Sequence, residues 1–215
     1  YIGSILVPEL LEAGHKVTVI DNFMYRKPSL ANSISNPNLE LVYGDIRNQS
    51  LMKSLINKAD IVVPLAAIVG APACDKDPIQ ASSVNKDATI WLFNQLSSEQ
   101  QIIMPTTNSA YGSGDKNNYC DENSELKPLS LYAKDKVEVE KVLMNNPLAT
   151  SFRLATVFGV SPRMRLDLLV NNFMYRAMTD KFVILFEGHF KRNYVHVRDV
   201  TRAFRFAIDN TELVK

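Results

Sequence analysis

Gly3-Ser-Ile-Leu-Val-Pro-Glu-Leu-Leu-Glu-Ala-Gly-His-Lys-Val-Thr-Val-Ile-Asp21 is the stretch on which the fold turns. Ile5, Leu6, Leu10 and Leu11 recur at helical spacing between Ser4 and Ala13, and Gly14 follows as a natural C-cap. Lys16 to Ile20 then reads as a buried strand that closes on Asp21. Outward from there the same alternation returns. Strand-like segments at 39–43, 61–65, 102–104 and 150–154 are separated by helix-like stretches near 48–58, 79–97, 130–146 and 164–179, with another just before Lys215.

That order implies βαβ crossovers, hence an α/β fold: a doubly wound, Rossmann-type, mostly parallel sheet with ligands beyond the carboxyl ends of its strands. Residues 1–155 are expected to form the dinucleotide-binding domain. Residues 156–215 are expected to be part of a smaller substrate-binding region that returns to the first domain, the division falling near Ala155, ahead of Ser161-Pro-Arg-Met-Arg165. Because Tyr1 stands where an initiator Met is expected, the chain reads as a fragment lacking the first strand and most of a glycine-rich loop.

Composition excludes several partners. With 215 residues, 46% of them hydrophobic, a sizeable core is possible. Twenty-four basic residues balance 23 acidic ones without a long like-charge block, so neither nucleic acid nor a polybasic membrane contact is expected. The apolar run 61–73 is short and broken by Pro64 and Pro72, too little to span a bilayer. Cys74 and Cys120 lack CxxC spacing and read as inert thiols of a reduced, cytoplasmic protein. His15, His189 and His196 read as structural, and no metal site is expected.

The strand ends carry the chemistry. In a dinucleotide site a glycine before a helix lets the backbone approach the pyrophosphate, and an acid about 20 residues on meets the ribose hydroxyls. Gly3 and Asp21, with Asn22 beside it, take those places, and a carboxylate there repels a 2′-phosphate, favouring NAD. Asp45 and Ile46, after the next strand, are positioned for the adenine, and Leu65-Ala-Ala67 offers small apolar residues against which a flat cofactor can lie. Tyr132 and Lys136 are spaced i, i+4 on one helix face. An ammonium beside a phenol favours the phenolate, which suits Tyr132 to act as a general base, while Lys136 is also placed to hold the nicotinamide ribose. A hydroxyl from the loop Pro105-Thr-Thr-Asn-Ser-Ala-Tyr-Gly112 after the fourth strand would complete a triad.

Tyr1-Ile-Gly-Ser4, Thr107-Asn-Ser-Ala-Tyr-Gly112 and Tyr132-x3-Lys136 together resemble the extended short-chain dehydrogenase/reductase family of nucleotide-sugar epimerases and dehydratases, and the resemblance runs along essentially the whole chain. It implies Thr107 as the catalytic hydroxyl, Asn85 near the cofactor, and Arg192, in Arg192-Asn-Tyr-Val-His-Val-Arg-Asp199, as the grip on a nucleotide diphosphate. Asn172 resembles the Asn that closes over the sugar nucleotide, Phe186 lies where the family packs the base, and Asn108 joins the substrate side. The family also implies a homodimer through helices 79–97 and 130–146.

The implied reaction is C4 oxidation of a nucleotide-diphosphate sugar with NAD. Family dehydratases carry Asp-Glu after the catalytic Thr where this chain has Asn108-Ser109, so 4,6-dehydration is disfavoured. A 4-epimerase ranks first. A C4 dehydrogenase ranks next, because the run from Arg153 to Asn171 resembles a branch that includes enzymes oxidising GDP-heptose at C4. A non-catalytic NAD- or nucleotide-binding protein is the alternative of another class.

Overall fold

The computed structural model describes residues 1–113, 119–186, 188–189 and 191–213. Helix α1 (Gly3–Glu12) packs Leu6, Val7, Leu10 and Leu11 inward and stops at Gly14, whose φ of +89° a side-chain-bearing residue would resist. Strand β1 (Val17–Asp21) pairs with β2 (Leu39–Tyr43). Asn48 accepts the Leu51 N–H at 3.2 Å and so caps α2 (Gln49–Ile56). Strand β3 (Ile61–Val62) is shorter than its apolar run suggests, since Pro64 has no N–H to give a ladder.

The expected helix over 79–97 is interrupted. Following α3 (Ala71–Lys76), the chain forms α4 (Pro78–Ser82), a π-helical turn at Ser83–Asp87 and α5 (Ala88–Phe93). Strand β4 (Gln101–Thr107), buried along almost its whole length, lies between β3 and β5 (Ala149–Leu154), and pairs in parallel with β3 through Ile61–Gln101 and Val62–Ile102. A 3-10 turn at Asn108–Tyr111 follows β4, and α6 (Leu131–Leu143) precedes β5. Strand β6 (Thr156–Phe158) pairs in parallel with β7 (Tyr194–His196), and between them α7 (Leu169–Thr179) starts five residues later than its periodicity suggests. Helix α8 (Val197–Asp209) buries Val197, Val200, Thr201, Phe204 and Ala207, the i, i+3, i+4 stripe of an amphipathic helix.

The described strands form three short sheets, β1-β2, β3-β4-β5 and β6-β7. Contacts group the chain into two compact units: Tyr1–Val19, Phe23–Leu41 and Leu154–Phe206 form one, and Ile20–Asn22, Val42–Arg153 and 207–213 the other. The second unit has its own core, in which Ile102 and Met104 of β4 meet Met52 and Ile56 of α2, Leu92 of α5, and Val139 and Leu143 of α6. None of the described helices is long and apolar enough to cross a membrane.

Candidate active site

Helix α6 begins at Ser130, whose Oγ accepts the Ala133 N–H at 3.2 Å. That cap places Tyr132 in the first turn and Lys136 one turn later. The Lys136 Nζ lies 5.8 Å from the centroid of the Tyr132 ring. Lys136 is 2% exposed, and burial brings its ammonium down to about 8 against the opposing pull of Asp135. The neighbouring Asp135 is itself buried, which raises its pKa, although Ser82 donates to its carboxylate at 3.0 Å and works the other way.

Helix α6 packs on β4 and on the 3-10 turn that follows it. Thr107 ends β4, is buried, and caps that turn by accepting the Ser109 N–H on its Oγ1 at 3.1 Å. Its own hydroxyl proton has no acceptor among the described residues, so Thr107 can still donate to an oxyanion. Asn108 follows half-buried.

Asp21 and Asp45 meet at adjoining strand ends, where the Gly44 N–H donates to the Asp21 carbonyl at 3.0 Å. A Cβ on Gly44 would lie 2.4 Å from the tip of the Leu51 side chain, which would have to shift to admit it. Asp21 and Asn22 are exposed. Asp45 takes the Arg47 guanidinium in a two-pronged pair, 2.9 Å from Nε and 2.7 Å from Nη2, and this drops its pKa to about 2. The Arg47 backbone N–H donates to the same carboxylate at 2.9 Å. Beside it opens a recess of about 230 Å³ lined by Ile46, Arg47, Ser83 and Trp91.

Leu65, Ala66 and Ala67 run half-buried beyond β3. Asn85, in the π turn and fully buried, accepts the Ile68 N–H and donates to the Ile68 carbonyl, both at 2.8 Å. Its amide therefore fixes the loop along which a cofactor would lie, and Cys74 Sγ supports the same carbonyl at 3.4 Å. All of these residues, Thr107, Tyr132 and Lys136 included, belong to the second unit.

Gly3, Asn172, Phe186 and Arg192 belong to the first. Gly3 opens α1, and the Ser4 and Ser161 hydroxyls, 2.8 Å apart, both donate to the Tyr1 carbonyl. Asn172 donates to the Leu166 carbonyl at 3.0 Å, Phe186 is 84% exposed, and Arg192 is exposed. Sequence reasoning missed Arg163, whose guanidinium stacks 3.9 Å from the centroid of the Tyr25 ring and whose Nε is buried without a partner among the described residues. It also missed Arg47, Glu140 and Arg153; Glu140, one turn beyond Lys136, continues the i, i+4 series and was open to that reading. Within the first unit, a glycine opening a ten-residue helix and the buried Arg163 guanidinium nitrogen fit a pyrophosphate; within the second, an exposed acid ending β1 fits the hydroxyls of a ribose.

Residues 1–215 match the family described as the NAD dependent epimerase/dehydratase family. A UDP-N-acetyl-alpha-D-glucosaminuronate decarboxylase of Bacillus cytotoxicus is 32% identical over 115 residues, 53% of this chain and 36% of that protein. A UDP-glucose 4-epimerase of Yersinia pestis is 28% identical over 156 residues, 69% of this chain and 46% of that protein. The chain thus spans less than half the length of these two relatives. Among solved structures, UDP-glucuronic acid 4-epimerase of Bacillus cereus in complex with UDP-glucuronic acid and NAD superposes with a TM-score of 0.82 at 25% identity, covering 97% of this chain and 70% of that one.

Proposed function

Because the chain belongs to the NAD-dependent epimerase/dehydratase family, we propose that it is the cofactor-binding and catalytic part of an enzyme that oxidises a nucleotide-diphosphate sugar at C4, and that it works as a 4-epimerase. The observation that carries this is the buried Lys136 one turn from Tyr132, on a helix packed against the strand that ends in Thr107. Tyr132 takes the proton of the C4 hydroxyl. Lys136, while charged, favours the phenolate. Thr107 donates its free hydroxyl proton to the developing oxyanion. NAD, when bound, supplies the hydride acceptor; Asp21 holds its adenosine ribose and Gly3 admits its pyrophosphate.

Asn108-Ser109 places no carboxylic acid next to Thr107, which supports an outcome other than 4,6-dehydration. The decarboxylase among the relatives supports a second outcome from the same ketone. A uronic acid oxidised at C4 is a β-keto acid and loses its carboxylate readily. The sugar is expected to be held by Thr107, Asn108, Asn172, Phe186 and Arg192, and the protein to act as a homodimer.

The test is NADH absorbance and product analysis on a panel of UDP-, GDP-, CDP- and dTDP-sugars. Tyr132→Phe is expected to turn over about 10²- to 10⁴-fold more slowly than the unaltered protein, the usual worth of a positioned base. Equal rates for the two proteins would defeat the catalytic reading. An inverted C4 identifies an epimerase, an accumulating ketone a dehydrogenase, and a released carboxylate a decarboxylase.

A further inference from the structure

Helix α6 carries a third polar residue on its inner face. Glu140 lies one turn beyond Lys136, is 5% exposed, and has both carboxylate oxygens engaged. Oε2 accepts from Thr106 Oγ1 and from Ser151 Oγ, both at 2.8 Å, and Oε1 accepts from Arg153 Nε at 2.8 Å and from Nη2. Burial pushes the Glu140 carboxyl up, but Arg153 and the two hydroxyls outweigh it and hold the group below its usual value. Arg153 in turn reaches the loop after β4. Its Nη1 donates to the Tyr111 hydroxyl and to the Glu122 carbonyl, both at 3.0 Å, and its guanidinium lies 5.3 Å from the centroid of the Tyr111 ring.

A buried ion pair is a poor way to gain stability, because desolvating two charges offsets most of their attraction and an apolar pair of the same volume often does as well. What such a pair does provide is fixed geometry, since two-pronged Arg–carboxylate bonds tolerate little displacement. Here the fixed parts are those that the reaction must hold in register. Glu140 is rigidly spaced from Tyr132 and Lys136 along α6. Thr106, the residue before Thr107 on β4, is bonded to Glu140. Tyr111 closes the turn that Thr107 opens, where the Ser109 N–H bonds to Thr107 Oγ1 and the Gly112 N–H to the Ser109 carbonyl.

We propose that Glu140 and Arg153 are positioning residues for the reaction: they lock the turn Asn108–Tyr111, and with it the Thr107 hydroxyl, to the helix that carries Tyr132 and Lys136. This rests on the catalytic reading of Thr107, Tyr132 and Lys136. Neither residue touches the reacting atoms.

Three variants test it: Tyr111→Phe, which removes only the hydroxyl that Arg153 holds; Arg153→Lys, which keeps the charge without the fork; and Glu140→Gln, which keeps the shape without the charge. Turnover and backbone hydrogen exchange are followed in each. A displacement of about 1 Å at a reacting group can cost about a hundredfold in rate, so kcat is expected to fall about tenfold or more in Arg153→Lys and Glu140→Gln, and severalfold in Tyr111→Phe. KM should stay within about twofold, because only transition-state contacts are displaced, and exchange at the Ser109 and Gly112 amides should accelerate. Variants that merely melt earlier, with kcat and turn exchange as in the unaltered protein, would overturn the proposal. Should no sugar nucleotide be turned over even by the unaltered protein, the catalytic reading fails on its own. The exchange rates then decide the positioning claim: acceleration confined to 107–112 supports it, and unchanged rates overturn it.

Discussion

Lys136 is the residue at which folding and chemistry are most directly opposed. In the unfolded chain its ammonium titrates near 10.5, and in the fold burial brings it to about 8. Between those values the unfolded chain holds the extra proton, so this group's contribution to stability rises as pH climbs from about 8 towards 10.5. Below about 8 the buried charge costs stability, by about 3 kcal/mol at full effect. Lys136→Met should therefore be more resistant to urea than the unaltered protein at pH 7, and the gap should narrow towards pH 10. A gap independent of pH would mean that Lys136 is not the group titrating. The catalytic consequence has the opposite sense. Raising the pH through about 8 removes the ammonium that favours the Tyr132 phenolate, so kcat/KM should decline on that side. Tyr132, Lys136 and Thr107 were legible because i, i+4 spacing and strand-end position are properties of the sequence. The same spacing offers Glu140, but its pairing with Arg153 was not legible, since 13 residues and a helix-to-strand connection separate the partners, and only the fold brings Nε to Oε1.

Among elements, the α4–π–α5 segment departs most from its periodicity, which runs without a break from 79 to 97. The π turn at Ser83–Asp87 brings Asn85 round to face the Ile68 backbone, and hydrophobic spacing carries no sign of that widened turn. Strand β3 and helix α7 erred in the other direction. Their apolar residues continue past the point where Pro64, or the bends of 161–168, end the backbone pattern. Asn85→Ala should cost about 2 kcal/mol, because it strands the half-buried Ile68 N–H and leaves the Ile68 carbonyl only the weak Cys74 thiol as a donor. Urea unfolding measures that loss. The loosened 65–70 loop should also weaken NAD binding, which Trp91, the only tryptophan in the chain, can report by fluorescence. Undiminished affinity in a destabilised Asn85→Ala would confine this residue to folding.

For the whole molecule, alternation of strand and helix was enough to give the fold class, and it left out how the chain is shared between compact units. Residues 154–206 group with the start of the chain and not with β4 and the helices that precede them in sequence, a matter of long-range contact that no local pattern encodes. Association is the remaining property at this scale. If dimers form through α4, α5 and α6, the side chains that α6 offers are Lys134, Glu138 and Lys141, exposed at helical spacing, with the 85% exposed Ile79 on α4. Lys86, on the π turn, already pairs with Glu138 at 3.2 Å. Such a surface would be held largely by charge, and charges that meet near solvent are screened within about 8 Å at physiological salt. The other exposed apolar side chains, Met174, Tyr175 and Met178 on α7 with Phe182 and Ile184 to Phe186 after it, would respond oppositely, because sulfate strengthens apolar burial. Sedimentation of the protein in rising salt separates the two. A dimer through α4–α6 should dissociate as sodium chloride rises from about 0.05 to 0.5 M, where the screening length shortens severalfold, and Glu138→Lys should shift its equilibrium. A dimer that persists or tightens in sulfate and ignores Glu138→Lys would place the contact on α7 instead, and a monomer at every salt concentration would remove the dimer altogether.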